Sequence, residues 1–127
     1  MFEKLELTRM AQAMAAQAGA RMGVIAQNVA NADTPGFKAM DLASFAETYA
    51  ESDGHMHATR AGHGSGAGAD LPPLPRRDKG AGGPNGNSVS LETEMVKIAG
   101  ARQDHEMALA IYRNTSDIIR ASLGRNR

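Results

Sequence analysis

Asn28-Val29-Ala30-Asn31-Ala32-Asp33-Thr34-Pro35-Gly36-Phe37-Lys38 is the stretch that decides how this chain folds. Pro35 has no backbone N–H, and its ring clashes with a preceding helical turn, so a helix cannot pass through it undisturbed. It also pushes Thr34 toward extended geometry. Gly36 supplies the positive φ that a type II turn needs when proline holds its second position. The side chains of Asn31 and Asp33 suit backbone groups freed at a helix end. The stretch reads as a helix stop followed by a tight turn.

Upstream, residues 1–7 read as a lead-in, and the helical pattern begins at Thr8, a candidate N-cap. Leu7, Met10, Met14, Ala18, Met22, Ile25, Val29 and Ala32 recur every three or four places, as on one helix face. Arg9, Gln12, Gln17, Arg21 and Gln27 mostly take other faces. Gly19 and Gly23 each cost about 1 kcal/mol relative to alanine in a helix. Their spacing puts them on one side, either for close approach of another backbone or as two tolerated weak points. A helix of roughly 24 residues would be about 36 Å long.

Downstream, Leu42, Phe45, Ala46 and Tyr49 predict a short helix over about 42–51, with Asp41 placed to cap it. The alternative is an extended segment whose aromatics dock on the long helices. Between Gly54 and Gly86 lie nine of the fourteen glycines and four of the five prolines. That span cannot bury enough apolar surface to offset its chain entropy, and reads as a loose loop. Leu71-Pro72-Pro73-Leu74-Pro75 is a short polyproline-type element. Arg76-Arg77-Asp78-Lys79 reads as a solvated charge cluster.

Order resumes at the turn cluster Asn85-Gly86-Asn87-Ser88. Ser90 is a good N-cap, and Glu92 and Glu94 fall in the first helical turns, where negative charge is favoured. Leu91, Met95, Ile98, Arg102, His105, Leu109, Tyr112, Ser116, Ile119 and Leu123 then follow a heptad-like spacing. Ala101, Ala108 and Ile111 widen the apolar face. About 33 residues give roughly 50 Å of helix.

The formal net charge is zero, which gives no electrostatic case for nucleic acid or an anionic membrane face. The absence of cysteine excludes disulfides, a thiolate nucleophile and cysteine-ligated zinc. Methionine and alanine supply much of the apolar surface, which suits adaptable helix contacts. The start, Met1-Phe2-Glu3-Lys4-Leu5-Glu6, has no continuous apolar run of the kind a signal peptide carries. No segment approaches the roughly 20 apolar residues that span a bilayer.

Catalytic patterns are sparse. His55, His57 and His63 are close enough in sequence to suggest a divalent cation, but they lie in the Gly-rich loop without an obvious carboxylate shell. Glu92 and Glu94 near Lys97 read as a solvated helix start rather than an acid–base pair. His105 beside Glu106 reads as a packed or surface histidine. The chain has no nucleophile elbow, phosphate-binding loop or zinc-protease motif. The alternating glycines Gly62 to Gly68 are low complexity, because no strand precedes them. No catalytic, cofactor or metal residue is assigned, and an enzyme is not expected.

Two segments carry a family resemblance. Ile25-Ala26-Gln27-Asn28-Val29-Ala30-Asn31-Ala32-Asp33-Thr34-Pro35-Gly36-Phe37-Lys38, behind an Ala- and Met-rich helix, resembles the amino-terminal signature of flagellar rod and hook proteins. Asn87-Ser88-Val89-Ser90-Leu91-Glu92-x-Glu94-Met95, with the short chain and with Asp33, Lys38 and Asp41, looks most like the proximal members of the basal-body rod family. Phe37 stands where tyrosine is common, and Ser90 where aspartate is common. Residues 53–86 match no part of that pattern.

The resemblance implies a structural subunit of the bacterial flagellar basal body, stacking helically into the periplasmic rod and transmitting torque. It implies as partners other copies of the chain, the rod proteins FlgC, FlgF and FlgG, the ring–rod junction protein FliE, the MS ring and the flagellar type III export apparatus. Export without a cleavable signal peptide follows from the same resemblance. Two other readings stand beside it: a coiled-coil adaptor or export chaperone, and a metal-binding accessory factor.

The expected fold is mainly α. Two long terminal helices pair as an antiparallel coiled coil, with a short helix and an irregular Gly/Pro-rich loop between them. The divisions are 1–38 for the first helix and turn, 39–52 for the short helical segment, 53–88 for the loop and 89–127 for the last helix. An isolated pair buries one stripe of each helix, so further burial is expected from other subunits. The assembly-contact candidates are Met10, Met14, Met22, Ile25 and Val29 in front, with Met95, Ile98, Leu109, Tyr112, Ile119 and Leu123 behind. The turn residues Asn28, Asn31, Asp33, Thr34, Pro35, Gly36, Phe37 and Lys38 are expected to set the path into the middle region.

Overall fold

The computed structural model describes residues 2–52, 73–80 and 82–124. Its elements are α1 (Phe2–Ala30), β1 (Met40–Asp41), α2 (Phe45–Ser52), β2 (Arg76–Arg77) and α3 (Leu91–Gly124). The fold is mainly helical, and its dominant packing is α1 against α3. No helix among the described residues is long and apolar enough to cross a membrane. His55, His57, His63, the Gly62 to Gly68 run and the Leu71-Pro72 start of the polyproline-type element lie outside the described residues.

Helix α1 begins well before Thr8. Glu3, Lys4, Leu5, Glu6 and Leu7 are helix formers, and Glu3 lies in the first turn, where the dipole favours negative charge. Thr8 is therefore an interior residue and not the N-cap; its Oγ1 donates to the Lys4 carbonyl at 2.9 Å. The helix stops where proline requires it to. The Asn31 N–H still reaches the Gln27 carbonyl at 3.1 Å, and Ala32 tightens to the Val29 carbonyl at 3.2 Å. Thr34 then accepts from the Phe37 N–H at 3.2 Å, with Gly36 at φ 73°, the conformation the Pro-Gly pair of a type II turn takes.

Helix α2 starts later than its apolar spacing predicts, because Ser44 caps it and Asp41 does not. The Glu47 N–H donates to Ser44 Oγ at 3.4 Å and the Ser44 N–H donates to Glu47 Oε2 at 3.1 Å, a reciprocal capping box. Asp41 is drawn instead to Arg21 of α1. Strands β1 and β2 pair antiparallel, Met40 opposite Arg77 and Asp41 opposite Arg76, and the Asp78 N–H extends the ladder to the Ala39 carbonyl at 2.9 Å. The glycine- and proline-rich stretch thus sends one strand back against the segment that leaves the turn.

Helix α3 starts at the predicted cap, with the Thr93 N–H on Ser90 Oγ at 3.5 Å. Its buried residues are Glu94, Ala101, Ala108 and Thr115, one per heptad. Buried Ala11, Ala18 and Ile25 repeat at the same interval in α1. The tightest burial in α3 therefore lies one residue before the stripe of larger apolar side chains. Ala101 and Ala108, read from sequence as a lateral extension, are central to it. Gly19 and Gly23 serve no close approach within the described residues, since an added Cβ at either meets nothing within 4 Å.

Candidate assembly site

The last turn of α1, the Thr-Pro-Gly turn, β1, the 78–90 segment and the first turn of α3 converge on one buried polar junction. Asn28 is its centre and is fully buried. Its Oδ1 accepts from the Met40 N–H at 3.0 Å, and its Nδ2 donates to the Met40 carbonyl at 2.7 Å. The side-chain amide pairs with Met40 as a neighbouring strand would. The same Nδ2 donates to Glu94 Oε2 at 3.0 Å, joining α1 directly to α3.

Glu94 is 1% exposed, contrary to its reading as a solvated helix-start charge. A carboxylate so placed must be paired and hydrogen-bonded to offset the loss of its hydration. Lys97 supplies the charge, with Nζ 3.2 Å from Glu94 Oε1. Lys97 also donates to Asp78 and lies 3.6 Å from Asp41 Oδ2. Asp78 is accordingly half-buried and tied to α3, not part of a purely solvated cluster. Asp41 meets Arg21 in two hydrogen bonds of 3.0 and 3.1 Å. Two cations thus hold three carboxylates from β1, the β2 segment and α3.

The electrostatics follow from that geometry. Burial alone would push the Asp41 carboxyl up, but the Arg21 bond and charge, the Leu42 N–H and Lys97 together hold it below its ordinary range. Burial would likewise lower Lys97, and its bonds to Asp78 and Glu94 outweigh this and raise it. The hydrogen bond to Asp41 raises Arg21 further, against the opposing effect of burial. Among the described residues no buried side-chain nitrogen or oxygen lacks a hydrogen-bond partner.

On the other side of the junction, Asn87 closes the end of α1. Its Nδ2 donates to the carbonyls of Asn31, Ala32 and Thr34 at 2.9, 2.7 and 2.8 Å, and its Oδ1 accepts from the Val89 N–H at 2.8 Å. The Asn31 and Thr34 carbonyls also accept from the Thr34 and Phe37 N–H groups, while Ala32 has no backbone donor among the described residues, as a helix end leaves it. Ser88 accepts from the Ala39 N–H through Oγ at 2.8 Å and donates its own N–H to the Phe37 carbonyl at 3.0 Å. Gly36 donates to the Asn85 carbonyl at 3.2 Å, and Lys38 Nζ reaches the Gly86 carbonyl at 2.8 Å. Gly86, at φ 78°, turns its backbone close to that of Gly36.

Residues 10–38 match the family of the flagella basal body rod protein. No curated protein matches the chain. The family is a structural one of the flagellar basal body, and the match supports a structural rod role. The segment matched to the rod family begins one residue before the first buried alanine of α1 and ends at the far side of the Thr-Pro-Gly turn.

Within this rod-family segment the signature residues have separable tasks. Asn28 binds β1 and α3. Asn31 turns back on the helix, its Nδ2 on the Gln27 carbonyl at 2.9 Å and its Oδ1 accepting from Thr34 Oγ1 at 3.2 Å. Asp33 is exposed, with no hydrogen bond among the described residues, so of these two side chains Asn31 alone acts on the helix end. Lys38 reaches across to the 85–88 turn. Sequence reasoning did not assign Arg21, Asn87, Ser88 or Lys97 to a site. Asn87, Ser88 and Glu94 do fall in the second segment of resemblance, which is the signal that marks them.

The larger apolar residues divide between seam and surface. Ile25 is buried, Met10, Met14 and Met22 are half-buried, and Val29 is exposed. In α3, Leu109 and Ile119 are half-buried, while Met95, Ile98, Tyr112 and Leu123 are exposed, Met95 to 69%. Val96, Met107 and Ile118 add to the exposed apolar surface.

Proposed function

We propose that this chain is a structural subunit of the proximal flagellar rod, most like the proximal rod protein FlgB. The observation that carries the reading is the meeting of the two resemblance segments. Asn28 and the Thr-Pro-Gly turn of the first pack onto Asn87, Ser88 and Glu94 of the second, in one buried junction. The junction ties the end of α1 to the start of α3, which favours an antiparallel pair with Phe2 and Gly124 at its far end. The large apolar residues left outside are surface for neighbouring subunits.

In this reading Met10, Met14, Met22 and Val29 in front and Met95, Ile98, Leu109, Tyr112, Ile119 and Leu123 behind include the contacts of helical assembly, while Ile25 is held in the seam of the single chain. The neighbours are copies of the chain, FlgC, FlgF, FlgG, FliE and the MS ring. The chain crosses to the periplasm through the type III export apparatus and transmits torque once assembled. The divisions 1–38, 39–52, 53–88 and 89–127 are the units of this reading, the first and last together forming the assembly domain.

Deletion of the encoding gene in its own host, followed by purification of hook–basal bodies, tests the role. Loss of motility and of complete rods, both restored by the full chain, is expected. Purified basal bodies that lack the chain in a motile, complemented strain would refute it.

A further inference from the structure

The helix seam has a weakness that follows from its composition. Ala11 and Ala18 in α1 and Ala101 and Ala108 in α3 are buried and each pair is spaced by seven residues. Alanine offers the same small, featureless surface at each repeat. A slip of one heptad would again bring alanine to the positions these four occupy in the seam, so they discriminate poorly between registers. Thr115 adds little to the choice, since its Oγ1 is satisfied within its own helix by the Ile111 carbonyl at 2.8 Å.

Asn28 and Glu94 differ in kind. Both are buried, they bond to one another at 3.0 Å, and their other hydrogen bonds go to Met40 and Lys97. A slipped register would break the Asn28–Glu94 bond, leaving the buried amide with Met40 alone and the buried carboxylate with Lys97 of its own helix. Polar residues in an otherwise apolar helix interface are known to fix register in this way, at some cost in stability. We infer that the Asn28–Glu94 pair is the register lock of the α1–α3 helix pair.

Because the chain has no cysteine, a paired label reads register directly. Spin labels on Ala16→Cys and Val96→Cys, both exposed positions on different helices, report the offset along the helix axes in the isolated full chain by pulsed electron resonance. The native junction gives one narrow distance. With Asn28→Leu and Glu94→Met added, which keep bulk and remove polarity, helix content is retained and a second population appears, displaced by up to about 10 Å, one heptad at 1.5 Å per residue. Asn28→Ala with Glu94→Ala gives the same second population wherever it folds. A single unshifted distance in the Leu/Met protein would overturn the inference. So would loss of helix content in both double variants, which would make the pair a stability element and not a lock. The measurement does not involve rod assembly, so its failure would leave the proposed rod role standing.

Discussion

The buried amide of Asn28 donates to Glu94 Oε2 at 3.0 Å, across 66 residues of sequence. Removing one partner alone is worse than removing both, because it strands the other in a buried place. Asn28→Leu should destabilise the chain by about 3 kcal/mol, while Asn28→Leu with Glu94→Met should cost less than that single change. Urea unfolding followed by circular dichroism measures both. Equal or additive losses would show that the two side chains do not act as a pair.

Asn87 offers one amide to three carbonyls at the end of α1. Asn87→Ala should cost about 1–2 kcal/mol, chiefly because the Ala32 carbonyl loses its donor, while the Asn31 and Thr34 carbonyls keep the Thr34 and Phe37 N–H groups. Asn87→Asp should cost more, since it points an acceptor at three acceptors. Thermal unfolding of the two variants ranks them, and an aspartate variant as stable as wild type would contradict the assignment.

Gly36 sits at φ 73° inside the Thr-Pro-Gly turn. Gly36→Ala should cost about 1–2 kcal/mol from the left-handed backbone alone, since an added Cβ meets nothing within 4 Å. Replacing Pro35 and Gly36 together with alanine should lengthen α1 and draw Phe37 and Lys38 away from Ser88 and Gly86. Circular dichroism should show added helix, and motility in the host should be lost. Normal motility and rod content would contradict the role given to the turn.

The charge network sets the pH window. Asp41 is held below its ordinary value of 3.8, so its stabilisation is present above that value and is lost as pH falls through the folded value. Lys97 is held above its ordinary 10.5, so its contribution is present below 10.5 and is lost as pH rises through the folded value. Both contributions are flat between about pH 5 and 9.5. Asp41→Asn should cost about 1.5–3 kcal/mol at neutral pH and less in strong acid, because wild type loses the same interaction there. Unfolding free energies at neutral pH and near pH 3 check the convergence.

Much of this arrangement was legible in the residues. Pro35-Gly36 ends α1 by local sterics alone, and Ser90 caps α3, so both boundaries follow from chemistry within a few residues. The Ser44-x-x-Glu47 capping box was equally local, but an apolar spacing starting at Leu42 drew the start of α2 too early. The seam of α3 was displaced by one residue because large apolar side chains dominate any periodicity. Alanine, which here takes the buried positions, contributes weakly to that signal. The burial of Glu94 was not legible, because it depends on Asn28, and on Asp78 beside Lys97, arriving from other segments of the chain.

The central claim is that the outer apolar stripe of α3 is surface in the single chain and interface in the rod. Met95 reports on it directly, being 69% exposed beside fully buried Asn28 and Glu94 at the junction. Mild peroxide footprinting with mass spectrometry should convert Met95 to sulfoxide readily in the free protein and far more slowly in purified hook–basal bodies. Equal rates in the two samples, with the chain present in both, would contradict the claim.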